Sequence, residues 1–431
     1  MTYVYDWLNR MTAIEENGAT SGVGLLASYT YDNTGERSSI ARAGGAGATT
    51  TAQDDAAGRT LNFAHTFTGG NSVAWTFGCT ASNQRSSMSA SNDGYTGFPS
   101  TSATRYIANG LNQYSTVGGA AYTYGPRGNL SVYGNRNFTF DLENHLISAT
   151  SPTALTLTYD PVQRLQSTAT ASASTNFLYD GANLIGEYDG SGAILRRYVF
   201  GPNTDEAVVW YEGAGTVNRR WLHADPQGSA IAWSTSGGAL GGSNTYGPYG
   251  EQTAWSGSRF SYTGQTMIPE LQLYYYKARV YDPSIGTFLQ ADPIGYRSDV
   301  NWYAYAGEDP VNGSDPSGLD FNGPTGTDFY GSLAENNPSN MQTYSTTFGA
   351  AQTGSASLGT ATVGGTTYDV SADSGILVTA APRLDIDGSN AGRFVEYASG
   401  PQGGGGWGGH RRRRRDQECP LLRIADSRAM V

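Results

Sequence analysis

The chain has 431 residues, of which 58 are Gly and 29 Tyr; 38% are hydrophobic, only 15% are charged, and the net charge is −11. An aromatic content of 12% with so few charges excludes wholesale disorder, and negative charge spread along the chain disfavours specific nucleic-acid or anionic-membrane binding by the bulk of the protein. No uninterrupted apolar stretch approaches the roughly 20 residues of a membrane-spanning helix, and Cys79 and Cys419 form neither a metal nor a disulfide pattern, so no transmembrane segment, metal or cofactor is expected. Gly and Tyr in these amounts predict an all-β chain of short strands and tight turns.

The first residues, Met1-Thr-Tyr-Val-Tyr-Asp6, lack the basic and apolar regions of a signal peptide. They already fall inside a repeat, which leads to the expectation that the chain starts partway through a longer array. The repeat is an aromatic, any residue, Tyr-Asp, two residues, Gly, then Arg or a hydrophobe. It recurs as Tyr29-Thr-Tyr31-Asp32 with Gly35, Phe138-Thr-Phe140-Asp141, Tyr159-Asp160 with Arg164, and Tyr188-Asp189 with Gly192. Asp55 with Gly58 and Arg59, and Tyr122-Thr-Tyr124-Gly125 with Gly128, are degenerate copies. Aromatics at i and i+2 share one strand face and are expected to stack into a ladder across strands. Asp bonds its own backbone two residues on, and Gly supplies a left-handed turn residue. No unit of this kind buries its face alone, so stability must come from stacking of neighbours.

Further along, Leu184-Ile-Gly-Glu-Tyr-Asp189, Arg196-Arg-Tyr-Val-Phe-Gly-Pro202, His223-Ala-Asp-Pro-Gln-Gly-Ser229 and Tyr246-Gly-Pro-Tyr-Gly250 lead into the densest stretch, Tyr274-Tyr-Tyr-Lys-Ala-Arg279-Val-Tyr-Asp282-Pro-Ser-Ile-Gly286-Thr-Phe288. Ala291-Asp-Pro-Ile-Gly295 follows, and the run closes at Asp315-Pro-Ser-Gly-Leu319. These motifs closely resemble the YD repeats and repeat-associated core of bacterial Rhs proteins, toxin-complex C components and teneurins. The departures are Gly125 in place of Asp, Gln163 in place of Gly, and Thr287 where Arg is usual, the last expected to loosen the turn after Gly286.

The resemblance implies a YD-repeat β-sheet spiral over residues 1–183 and an Rhs-associated core over 184–319. A variable, poorly ordered C-terminal segment follows, with a passenger at 320–399 and a Gly/Arg-rich tail at 400–431. Family shells are longer, so an incomplete cocoon is expected. The implied partners are the chain's own passenger, a cognate immunity protein and components of a secretion apparatus, and the implied location is secreted or cell-surface.

Two carboxylates in a partly buried site share a proton and activate water. The core offers Asp282, Asp292, Asp299, Asp309 and Asp315, most in turn-forming contexts, and spacing alone selects no pair. The resemblance selects Asp292 and Asp315 as an aspartic-protease-like dyad. It adds Arg279 to orient a carboxylate or stabilise oxyanion charge, and places a single self-cut between Leu319 and Asp320. His223 with Asp225 reads as a turn. His65, His145 and His410 have no metal spacing, and Cys79 reads as a small hydrophobe.

Beyond Leu319, Thr360-Ala-Thr-Val-Gly and Ile376-Leu-Val-Thr read as short strands. The passenger lacks a Cys-x-x-Cys pair, and Arg383 with Glu396 make a poor ADP-ribosyltransferase set. Arg411 to Arg415 read as a solvated tail. The functional alternatives are a self-processing toxin carrier, a non-enzymatic adhesion module binding glycans through exposed Tyr, or an inactive cassette.

Overall fold

The computed structural model describes residues 1–97, 104–252, 255, 257–321, 357–363 and 366–371. Residues 322–356 and 372–399 of the expected passenger, which include the Ile376 run, Arg383 and Glu396, lie outside them, as do His410, the arginine run and Cys419.

One turn, reused, generates the fold. At Asp6, Asp32, Asp55, Asp141, Asp160, Asp189 and Asp225, Oδ1 accepts the backbone N–H groups of residues i+2 and i+4. The Asp N–H donates to the carbonyl of i+4, and the N–H of i+3 donates back to the Asp carbonyl. Residue i+3 is left-handed in every case: Gly35, Gly58, Gly192 and Gly228, but also Asn9, Asn144 and Gln163 at φ +60°, +68° and +68°. Gln163 therefore adopts the glycine conformation rather than abolishing the turn. Gly125 keeps the same backbone bonds, to Asn129 and from Gly128, without a carboxylate.

A register shift falls at the aromatic just before the turn, as at Tyr5, Tyr31, Tyr124, Phe140, Tyr159, Tyr179 and Tyr188. Such bulges sharpen the twist of each hairpin. They also aim the Tyr hydroxyl back along the sheet, where Tyr31, Tyr159 and Tyr179 donate to the carbonyls of Met11, Leu146 and Leu165. The expected aromatic ladder is present in part, with Tyr122 stacked on Tyr133 at 4.8 Å. Elsewhere arginine takes its place: Arg10 lies over Tyr31 and Arg164 over Tyr179, each from the preceding turn.

The hairpins follow one another in strict chain order, forming an eight-stranded antiparallel sheet from Thr2–Tyr5 to Arg85–Ala90 and a fifteen-stranded one from Tyr106–Ala108 to Leu240–Ser243. Neither sheet closes on itself. Only short 3₁₀ turns accompany the strands, and among the described residues no helix is long and apolar enough to cross a membrane.

The strands Ile194–Phe200, Ala207–Glu212 and Arg219–Ala224 are covered on both faces. One face carries Val199, Val209, Tyr211 and Trp221 against Ile14, Leu26 and Ile40 of the first sheet. The other carries Tyr198, Phe200, Trp210 and Leu222 in a core shared with Phe260, Ile268, Leu273 and Tyr275. Double burial explains the unbroken run Val208-Val-Trp-Tyr211, where the half-buried strand Leu155–Tyr159 alternates.

That second core is filled by a four-stranded sheet, Thr266–Ile268, Leu273–Tyr276, Arg279–Asp282 and Thr287–Phe288, whose strand residues are all buried. Three ion pairs join it to the large sheet: Arg259 to Glu187 at 2.8 Å, Asp282 to Arg136 at 2.9 Å and Lys277 to Asp205 at 2.7 Å. Lys277 is the chain's single lysine. Thr287 does not loosen its turn; it is 6% exposed and paired with Asp282.

In the second unit, Ser357–Val363 pairs antiparallel with Thr366–Ser371, so the Thr360 run is a strand.

Candidate active site

Both candidate aspartates stand in turns that keep part of the bonding of the repeat turn. Asp292 Oδ1 accepts the N–H of Ile294 at 2.9 Å, and Gly295 donates to the Asp292 carbonyl. Asp315 Oδ1 accepts the N–H of Leu319 at 3.0 Å, and Gly318 donates to the Asp315 carbonyl. Their second oxygens differ from those of the shell. At Asp6, Asp55 and Asp160, Oδ2 pairs with the arginine four residues on in the same turn. The Oδ2 atoms of Asp292 and Asp315 instead converge on one atom, Arg279 Nη2, at 3.0 and 3.3 Å.

Arg279 opens a buried strand and is 2% exposed. Its guanidinium lies over the Phe288 ring, 3.8 Å from the centroid. Nε donates to the Gly318 carbonyl at 2.5 Å and Nη1 to the Trp302 carbonyl at 2.9 Å. Ser298 Oγ donates to Asp292 Oδ2 at 2.7 Å. Burial pushes Asp315 above the usual carboxylate range, against the pull of Arg279. Burial also lowers Arg279, against both carboxylates. The two shifts share one cause, the cost of holding charge away from water.

The turn at 315–319 packs directly on the hairpin that carries Arg279. The Ala278 N–H donates to the Ser317 carbonyl and Lys277 Nζ to the Pro316 carbonyl at 2.6 Å. Gly318 has φ +70°, and an added Cβ would collide with the Tyr276 carbonyl. Only glycine fits both demands.

The structure thus brings Arg279, Asp292 and Asp315 together next to Leu319 and Asp320. The other core aspartates are elsewhere: Asp282 binds Arg136 and Tyr133, Asp309 binds the Asn312 side chain, and Asp299 accepts the N–H of Asn301. Arg279 Nε is engaged by the Gly318 carbonyl, one peptide before the expected cut, so in this arrangement it orients chain and carboxylates. Sequence reading missed Ser317, whose Oγ accepts the N–H groups of Leu319 at 3.1 Å and Asp320 at 3.3 Å. Its position two residues after a turn aspartate was the available signal. His223 Nε2 meets Ser234 Oγ at 2.8 Å while Asp225 forms its own turn, and Cys79 is half-buried.

With fold and site defined, likeness to known proteins can be placed. The Teneurin YD-shell family model matches residues 99–311. The tRNA3(Ser)-specific nuclease WapA of Bacillus spizizenii is 29% identical over 226 residues, 48% of this chain and 9% of the relative. Salivary gland surface protein 1 of Aedes aegypti is 44% identical over 79 residues, 17% of this chain and 2% of the relative. A crystallised TcdB2–TccC3 complex superposes with a TM-score of 0.54 at 14% identity, over 74% of this chain and 20% of that one. The Photorhabdus luminescens Tc holotoxin pore gives 0.53 at 14% identity, again over 74% and 20%. The fold is an open YD-repeat shell. These matches support an Rhs-type YD-repeat protein related to the teneurins and to toxin-complex components, and the chain spans about a tenth of the length of the WapA relatives.

Proposed function

We propose that the chain is a self-processing carrier: the YD shell and inner sheet sequester a C-terminal passenger, and Arg279, Asp292 and Asp315 cut the Leu319–Asp320 bond once to release it. The observation that carries this reading is the convergence of two buried carboxylates, from two separate turns, on Arg279 Nη2 beside the chain to be cut. Asp292 takes a proton from water as the water attacks the Leu319 carbonyl carbon, and Asp315, raised by burial, supplies the acid. Because the bond lies four residues from Asp315, the substrate is held in place by the chain itself.

The nuclease and holotoxin relatives support a toxic cargo; delivery outside the producing cell, a cognate immunity protein and secretion components are what this reading implies. The adhesion alternative draws on Tyr5 and Trp7, 51% and 89% exposed at the edge of the first sheet.

Intact mass after expression tests the proposal. The wild type should yield two chains, the second beginning at Asp320. Asp292→Asn and Asp315→Asn should each remain one chain, a loss of at least about 10²-fold in rate. A wild type that stays whole would overturn it. The cut should also slow as pH rises through the raised titration of Asp315, because the acid form is the one consumed.

A further inference from the structure

Cleavage requires a proton on the departing nitrogen, and Asp315 does not touch that atom. Its Oδ1 accepts from the nitrogen of Leu319, one residue too early. Building on the proposed self-cut, we infer that Ser317 is catalytic and relays a proton from Asp315 to the nitrogen of Asp320.

Ser317 Oγ stands 3.2 Å from Asp315 Oδ1 and 3.3 Å from Asp320 N, so it bridges acid and leaving group. The same position in other turns shows what a purely structural hydroxyl does. Thr34, Ser191 and Ser284 donate to the Oδ1 of Asp32, Asp189 and Asp282 at 2.7, 2.7 and 2.6 Å. At Ser317 the distance to the aspartate is longer, and two downstream amides, of Leu319 and Asp320, direct their N–H groups at the oxygen. The hydroxyl has moved off its aspartate toward the bond to be cut.

In the planar peptide the Asp320 nitrogen is a donor. Addition of water to the Leu319 carbonyl carbon makes it pyramidal and basic, and the hydrogen bond reverses. The water oxygen forms the new C–O bond and its proton passes to Asp292. The C–N bond breaks with its electron pair on nitrogen, which takes the Ser317 hydroxyl proton while Ser317 takes the proton of Asp315. The products are a Leu319 carboxyl and an Asp320 amine. Return of one proton from Asp292 to Asp315 restores the pair, and water is the only reactant consumed. One intervening group is within the reach of general acid catalysis.

The test is pulse–chase of the full chain made by cell-free translation, following the two fragments over time and checking folding by thermal unfolding of an uncut Asp292→Asn background. Ser317→Ala should slow the cut by about 10²-fold, while Ser317→Thr, which keeps the hydroxyl, should restore it to within about tenfold. Equal rates for wild type and Ser317→Ala would overturn the relay, as would Thr and Ala variants that are equally slow in equally stable proteins. If Asp315→Asn cleaves normally the parent reading fails instead, so the two failures are distinguishable.

Discussion

At the scale of single residues, the fate of a turn aspartate is decided by its second oxygen. Oδ1 closes the turn on two backbone N–H groups at Asp6 and Asp160 and on one each at Asp292 and Asp315. Where Oδ2 finds an arginine in its own turn, the result is scaffold. Arg59, with the turn's backbone amides, holds Asp55 down at about 2. Where Oδ2 faces a buried arginine from another element, the carboxylates gather into a site. The sequence shows a turn-forming aspartate in both cases and nothing of where Oδ2 points, which is why turn context chose no pair among five aspartates and only the resemblance did. The left-handed residue of each turn was legible as glycine, but Asn9, Asn144 and Gln163 show that the conformation, not the residue, is obligatory. A left-handed non-glycine residue costs roughly 1–2 kcal/mol, against which glycine loses somewhat less than about 1 in chain entropy. Gln163→Gly should therefore raise unfolding stability by about 0.5–1 kcal/mol in urea titration. Destabilisation would mean that the side chain contributes more than its backbone strain.

At the scale of elements, the hairpins and their turns were readable from period-two alternation and Tyr-Asp-x-x-Gly spacing, and no α-helix interrupts them among the described residues. What was not readable is which strands are covered twice. Val208-Val-Trp-Tyr211 reads as apolar whether it meets one neighbour or two, and its partners Ile14 and Leu26 lie far away in sequence. The same packing hides a polar cluster. His65 is 1% exposed, its Nδ1 meets Thr50 Oγ1 at 2.9 Å and its Nε2 the Ala224 carbonyl at 3.0 Å. His223 lies 5.2 Å away ring to ring, and Arg42 donates to Thr50 and to the Leu222 carbonyl. Burial first, then the Arg42 charge, lower His65 to about 3. An unfolded histidine titrates near 6.5, so between that value and about 3 the unfolded chain binds a proton that the folded one excludes. Stability must fall with falling pH across that window, by about 2 kcal/mol from pH 7 to pH 5 for His65 alone. Urea unfolding of wild type and His65→Gln at the two pH values isolates this share, because the other groups cancel in the difference. Identical pH slopes would remove His65 as the cause.

At the scale of the whole YD unit, strict chain order means that every hairpin is added to the one before it, and the inner sheet then fills the concavity left by fifteen strands. The inner sheet is held by charges as well as by apolar contact. Arg259 is hydrogen-bonded to Glu187, which is fully buried, and burial's tendency to neutralise Glu187 is outweighed by Arg259, leaving its titration lowered. Breaking such a pair on one side is far costlier than replacing both partners. The third pair has a practical consequence. With one lysine in the chain, amine-reactive reagents have a single side-chain target. Its Nζ is held by both carboxylate oxygens of Asp205, by Gln265 Oε1 and by the Pro316 carbonyl. Acylation therefore competes with the contacts of the shell loop, the inner hairpin and the 315–319 turn at one point. Peptide mapping of Lys277 labelling should show slow modification of the folded wild type and modification faster by several-fold in Asp205→Asn. The single lysine makes the junction between the large sheet and the turn at 315–319 a built-in chemical gauge of how firmly that turn is held.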